Sequence, residues 1–178
     1  MTRPVTTPRE ADAPMELRFD DPSSDHFATL SRDRVPVRSL KPADLDQVVR
    51  IDRAAGGLDR RAYFERKFAE ALAETGVRVS LVAELEGLTV GFMMARVDYG
   101  EFGQVAAAAV IDTLGTDPDW RGRGVAQALL SQLLVNLATL GVERVLTEVD
   151  WHDLDLLGFL GHTGFRPADR LVLRKPLT

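Results

Sequence analysis

The chain has 178 residues, 45% of them hydrophobic and 28% charged, which leaves room for one domain with a sizeable core and little room for two. Its formal net charge of -5 withholds the basic footprint that nucleic-acid binding needs, and suits a cationic substrate better than an anionic one. The lack of cysteine excludes a disulfide scaffold, a thiol nucleophile and a cysteine zinc site. His26, His152 and His162 are too scattered for a helical zinc motif, so no metal is expected. No apolar run reaches the ~18–20 residues of a membrane span and no secretory core opens the chain, so no membrane association and a cytoplasmic location are expected.

Met1 to Arg34 carries Pro4, Pro8, Pro14 and Pro22 among mixed charges without sustained periodicity. Such a segment buries little apolar surface and is expected to be a loose N-terminal tail, with the folded domain covering 35–178. From Val35 the pattern becomes regular: Val35 to Leu40 alternates as a short strand. Pro42 opens a helix with Leu45, Val48 and Val49 at helical spacing, stopped by Gly56-Gly57. A second helix is predicted over Asp59 to Glu74, with Tyr63, Phe64, Phe68, Ala71 and Leu72 on its apolar face.

Val77 to Leu85 and Thr89 to Asp98 read as strands joined by a hairpin at Glu86-Gly87, and Ala108 to Thr116 as a further strand. Gly124 to Leu140 is the clearest helix, with Val125, Leu129, Leu130, Leu133, Leu134 and Leu137 in one broad stripe. Arg144 to Val149 is predicted as a strand, Leu154 to Thr163 as a short helix and Leu171 to Leu173 as a closing strand. A hairpin followed by a strand–helix–strand unit implies an α/β fold of the α+β type, with a mixed, mostly antiparallel sheet flanked by helices.

The segment from Val110 to Ala126 carries the chemistry. A strand runs through Asp117-Pro118-Asp119-Trp120 into Arg121-Gly122-Arg123-Gly124-Val125-Ala126 and opens the strongest helix. Amides at a helix N-terminus lack intrahelical partners, and the helix dipole is positive there. Gly122 and Gly124 let such amides approach an anion, Arg121 and Arg123 add positive charge, and small Ala126 keeps the helix close. The combination reads as a pyrophosphate cradle. A dinucleotide-binding loop fits less well, because Gln127 occupies the third glycine position of G-x-G-x-x-G and the loop follows an antiparallel hairpin.

Arg121-x-x-Gly124-x-Ala126 resembles the acetyl-CoA signature Q/R-x-x-G-x-G/A of the GNAT acetyltransferase superfamily, and the order of elements from Val35 to Leu173 is similar to its fold. The resemblance implies that amides from Arg121 to Ala126, including Gly122, Arg123, Gly124 and Val125, hold the pyrophosphate of acetyl-CoA. It further implies that backbone groups of Leu114 and Thr116 pair with the pantetheine arm as an added strand would. Alignment on Gly164-Phe165 places Glu148-Val149 on a catalytic E-V pair and Asp153 on a cofactor-side asparagine; it places Leu160 where members carry a tyrosine that protonates the leaving thiolate.

Acyl transfer to an amine needs a base for the amine's proton. Glu148 is the first candidate, followed by Asp150 on the same strand face, Asp112 and Glu101. His152 and His162 read as surface or packing histidines, and Trp151 and Phe159 as packing residues. The expected activity is transfer of an acetyl or other short acyl group to a primary amine of a small molecule, a protein N-terminus or a lysine. The missing tyrosine keeps open a catalytically idle acyl-CoA-binding module, and homodimers are common in the superfamily.

Overall fold

The structure, a computed structural model, describes residues 34–73, 78–99, 106–169 and 172–177. The expected tail up to residue 33, together with Glu101 and Leu171, lies outside the described residues. The elements in chain order are β1 (Val37–Ser39), a 3-10 turn (Pro42–Asp44), α1 (Leu45–Gly56), α2 (Arg61–Leu72), β2 (Arg78–Leu85) and β3 (Leu88–Asp98). They are followed by β4 (Ala108–Thr116), a second 3-10 turn (Pro118–Trp120), α3 (Val125–Thr139), β5 (Arg144–Thr147) and α4 (Leu154–His162).

The strands form one sheet in the order β1-β2-β3-β4-β5. Neighbours from β1 to β4 are antiparallel, and only β4 and β5 run parallel. This is the mixed sheet flanked by helices that the pattern implied. The hairpin turns at Glu86-Gly87 as expected, with Leu85 pairing Leu88 so that β3 starts one residue before Thr89. Both have positive φ, 53° and 76°, the backbone of a two-residue type I′ turn whose twist matches its strands.

Alternation along the strands divides the core into two layers. Val79, Leu81 and Ala83 of β2, Met93 and Ala95 of β3 and Ala109 and Ile111 of β4 join Leu129, Leu130, Leu133 and Leu137 of α3. On the opposite face Val82, Phe92 and Met94 meet Val48 and Ile51 of α1 and Phe64 and Phe68 of α2. Phe64 and Phe92 meet edge to face at 5.6 Å. Leu134, counted in the apolar stripe of α3, is 38% exposed, whereas Ala128 and Ser131 are buried. Among the described residues no helix is long and apolar enough to cross a membrane.

Three expectations are corrected. The strand predicted to reach Val149 ends at Thr147, so Glu148 and Val149 lie beyond the last pair with β4. The predicted closing strand is absent at Val172 and Leu173, which are exposed and pair with no strand among the described residues. Trp151, expected to pack, is 82% exposed, because it sits in the turn between β5 and α4.

Candidate active site

The parallel pairing of β4 and β5 runs from Ala108↔Arg144 to Ile111↔Thr147 and stops, while β4 continues to Thr116. The cause lies in β4 itself. Its register with β3 moves from Ala95↔Ile111 to Met94↔Thr113, leaving Asp112 as an extra residue, and such a bulge bends its strand and increases its twist. The last tie across the pair is the Thr147 hydroxyl, which donates to the Ile111 carbonyl at 3.1 Å.

Beyond it, among the described residues, no strand pairs with β4 on its β5 side. The Asp117 amide donates to the Val90 carbonyl at 2.9 Å, so Asp117 faces β3. Alternation then turns the backbone N–H and C=O of Thr116 and Leu114 the other way, into the gap. Asp112 to Thr116 gives about 13 Å of strand along that gap, at ~3.3 Å per residue.

The gap leads to the loop before α3. Gly122 and Gly124 have φ of 72° and 80°, a left-handed backbone that only glycine adopts cheaply. Among the described residues the amides from Gly122 to Gln127 make no hydrogen bond; the first returning bond is from the Ala128 amide to the Gly124 carbonyl, at 2.9 Å. Among the described residues this leaves six consecutive donors without a partner at the positive end of a 15-residue helix, an arrangement suited to an anion. Arg121 has no ion-pair partner among the described residues, and the Arg123 guanidinium lies 4.6 Å from the centre of the Trp120 ring rather than on a carboxylate.

The cradle is held against the sheet by close packing. A Cβ placed on Gly91, which pairs with Thr116, would lie 2.6 Å from Val125 Cγ1 and 3.2 Å from Leu129 Cδ1. Glycine at position 91 therefore lets the first turn of α3 sit directly on β3. Val125 is 2% exposed in consequence.

The candidate carboxylates separate by partner. Asp112 lies 2.5 Å from Lys67 Nζ and 3.9 Å from Arg96 Nη1, and Thr113 Oγ1 donates to it at 3.1 Å. Asp150 accepts the His152 amide at 2.8 Å in the turn after β5. Asp153 caps α4 by accepting the Leu156 amide at 3.0 Å. Glu148 is exposed just past the end of β5 and has no partner among the described residues.

Leu160 is 4% exposed and bound into the core, so no hydroxyl stands at that position. His162 Nδ1 is engaged with the Gly158 carbonyl of its own helix, at 2.6 Å. Tyr63 Oη lies 3.0 Å from Thr113 Oγ1, joining α2 to β4 in a cluster with Asp112 and Lys67. Sequence reasoning missed this cluster. The bulge brings Asp112 and Thr113 to one face, and no local pattern marks it.

Among the described residues no group of three metal-ligating side chains occurs. Two surface clefts, about 260 Å³ beside Ser39 and Ala71 and about 590 Å³ beside Asp46 and Arg61, are lined by none of the gap or loop residues.

A sheet of this order, with its one parallel pair parted in front of an amide cradle, is the architecture of the acetyltransferase fold. The sequence model of the acetyltransferase (GNAT) family matches residues 45–165, and the chain belongs to that family. Among similar solved structures is one described as a transcriptional regulator from Bacillus halodurans C-125, 22% identical. It has a TM-score of 0.68, and the match covers 80% of this chain and 99% of that one. An aminoglycoside acetyltransferase from an uncultured soil metagenomic sample is 20% identical, with a TM-score of 0.66 and coverage of 82% and 97%. An aminoglycoside N-acetyltransferase in complex with CoA is 16% identical, with a TM-score of 0.68 and coverage of 80% and 94%. At these identities the likeness is one of fold.

Proposed function

We propose that this protein is an N-acyltransferase that moves an acetyl or other short acyl group from acyl-CoA to a primary amine. The observation that carries the reading is the run of amides from Gly122 to Gln127, unpartnered among the described residues, at the end of the β4 edge that β5 leaves unpaired. A ligand with a pyrophosphate at one end and an amide-bearing arm at the other fits that pair of features. Amides of Gly122, Arg123, Gly124, Val125 and Ala126 take the pyrophosphate, with Arg121 adding charge. Leu114 and Thr116 take the arm by strand-like pairing. The thioester then lies where β4 and β5 converge, between Asp112 and Glu148.

Glu148 is the base in this reading, because the other described carboxylates at the gap are already engaged: Asp112 with Lys67, Asp150 and Asp153 with amides. Asp153 supports the cofactor side by fixing the start of α4. The relatives whose names specify aminoglycosides favour a small polyamine-like acceptor over a protein N-terminus or lysine. We place the working unit at 35–178; a protein lacking residues 1–34 should still unfold cooperatively and bind CoA, and loss of either would make that segment part of the unit.

A buried leucine at position 160, where a thiolate-protonating tyrosine is usual in the family, favours a second reading, an acyl-CoA-binding module without turnover. Radiolabelled acetyl-CoA incubated with sisomicin, spermidine and an alanine-initiated peptide separates the two. Label in an amine supports the enzyme; tight CoA binding with no labelled amine supports the module.

A further inference from the structure

Asp117 is a buried carboxylate with more bonds than its place in a surface loop requires. It is 4% exposed and sits between the end of β4 and the turn that leads to the cradle. Its amide donates to the Val90 carbonyl of β3 at 2.9 Å, and its carbonyl accepts the Trp120 amide at 2.9 Å. Its side chain accepts the Asp119 amide at 3.1 Å and pairs with Arg50 Nη1 of α1 at 2.8 Å. One residue thus ties β3, α1 and the 3-10 turn at the point where the chain leaves the sheet.

Downstream, the loop has little of its own to hold it. Among the described residues the only amide bond from Arg121 to Gly124 is a long one, from Arg121 to the Pro118 carbonyl at 3.4 Å. The next fixed point is Val125, seated on Gly91. The direction in which the amides of Gly122 to Gln127 point is therefore set by two anchors, Asp117 before the loop and Val125 after it.

The charge has its own consequence. A buried carboxylate a few residues from an anion cradle opposes anion binding unless it is neutralised, and Arg50 is the only cation paired with it among the described residues.

Resting on the acyl-CoA reading above, we infer that Asp117 and Arg50 act together as a positioning pair for the pyrophosphate cradle. Asp117 aims the loop, and Arg50 cancels the charge that aiming requires. Neither touches the ligand. The pair acts on the phosphate end alone, so its loss spares ligands that carry only the arm.

The test measures binding of CoA and of S-acetylpantetheine, which lacks the nucleotide and the pyrophosphate. The proteins are wild type, Asp117→Asn, Arg50→Gln, Arg50→Lys and the Asp117→Asn/Arg50→Gln double variant, with thermal melting of each as the control for folding. Asp117→Asn and Arg50→Gln should each weaken CoA about tenfold or more, the scale of one lost charge-assisted hydrogen bond, and leave S-acetylpantetheine unchanged. Arg50→Lys should restore most of the affinity. The double variant should lose no more than the worse single one, as members of one unit do.

Arg50 is half exposed, so its variants keep the test decisive if Asp117→Asn does not fold. Unchanged CoA affinity in a folded variant, or equal losses for both ligands, would overturn the positioning role alone. A wild-type protein that binds neither ligand overturns the acyl-CoA reading and this inference with it.

Discussion

Replacing Gly91 with alanine tests whether the cradle is placed by close packing of α3 on β3. The added Cβ would meet Val125 Cγ1 at 2.6 Å, the Gly115 carbonyl oxygen at 3.2 Å and Leu129 Cδ1 at 3.2 Å. The Gly115 oxygen is backbone and cannot move freely, and Val125 has a stiff, branched side chain. The methyl must therefore push the first turn of α3 outward. Overpacking of this kind costs about 1–3 kcal/mol. At ~2–4 °C per kcal/mol for a chain of this size, melting should fall by about 2–12 °C. Because Val125 follows directly on the loop, CoA affinity should fall with it. Thermal melting and calorimetric titration with CoA read the two effects. A Gly91→Ala protein that melts and binds as wild type would refute the packing argument.

Gly124→Ala separates strain from crowding: its Cβ meets nothing within 4 Å, but φ is 80°. Holding an L-residue there costs ~1–2 kcal/mol, so a melting loss of about 2–8 °C is expected. Relaxation of the loop should remove one or more amide–phosphate bonds and weaken CoA by about 10–100-fold. Glu148→Gln should lower kcat by about 10²-fold or more near neutral pH, with partial recovery at higher pH where more amine is neutral, and leave CoA affinity intact; wild-type turnover across the pH–rate profile would remove Glu148 from the proton route.

The acid limb of stability should report Asp44. Burial pushes its carboxyl up, but hydrogen bonds from the Arg38 guanidinium and the Lys41 amide outweigh that and hold it below the usual carboxylate range. A depressed folded pKa gives stability that is present above the unfolded value, ~3.9, and lost as pH falls through the folded one. Asp44→Asn should melt lower than wild type at pH 7, with the difference shrinking below about pH 4. A difference that is constant with pH would contradict the assignment.

Parts of the molecule were legible because local sequence decides them. The Glu86-Gly87 turn and the helix from Val125 follow from turn chemistry and 3.6-residue periodicity, and both stand within a residue or two of expectation. The glycine turn from Arg121 to Gly124 and the helix start behind it were legible because glycine spacing and a helix start are local features.

What was not legible depends on partners distant in sequence. The bulge at Asp112, which parts β4 from β5, is a property of registration against β3 and leaves no mark in composition. The Asp117–Arg50 pair joins two helix-side segments that only the fold brings together. Strand alternation placed Glu148 and Asp150 on one face, but could not tell that β5 ends before either. The apolar run at Val172-Leu173 has strand composition, yet propensity without a pairing edge makes no strand.

The central claim is that free backbone amides of the loop hold a pyrophosphate. Amide NMR of the isotopically labelled protein during titration with CoA tests it directly. Saturable shifts concentrated on Gly122, Arg123, Gly124, Val125 and Ala126 are expected, with inorganic pyrophosphate moving the same resonances at higher concentration. Resonances of those five residues that stay fixed while CoA binds elsewhere, or do not respond to CoA at any concentration, would contradict it.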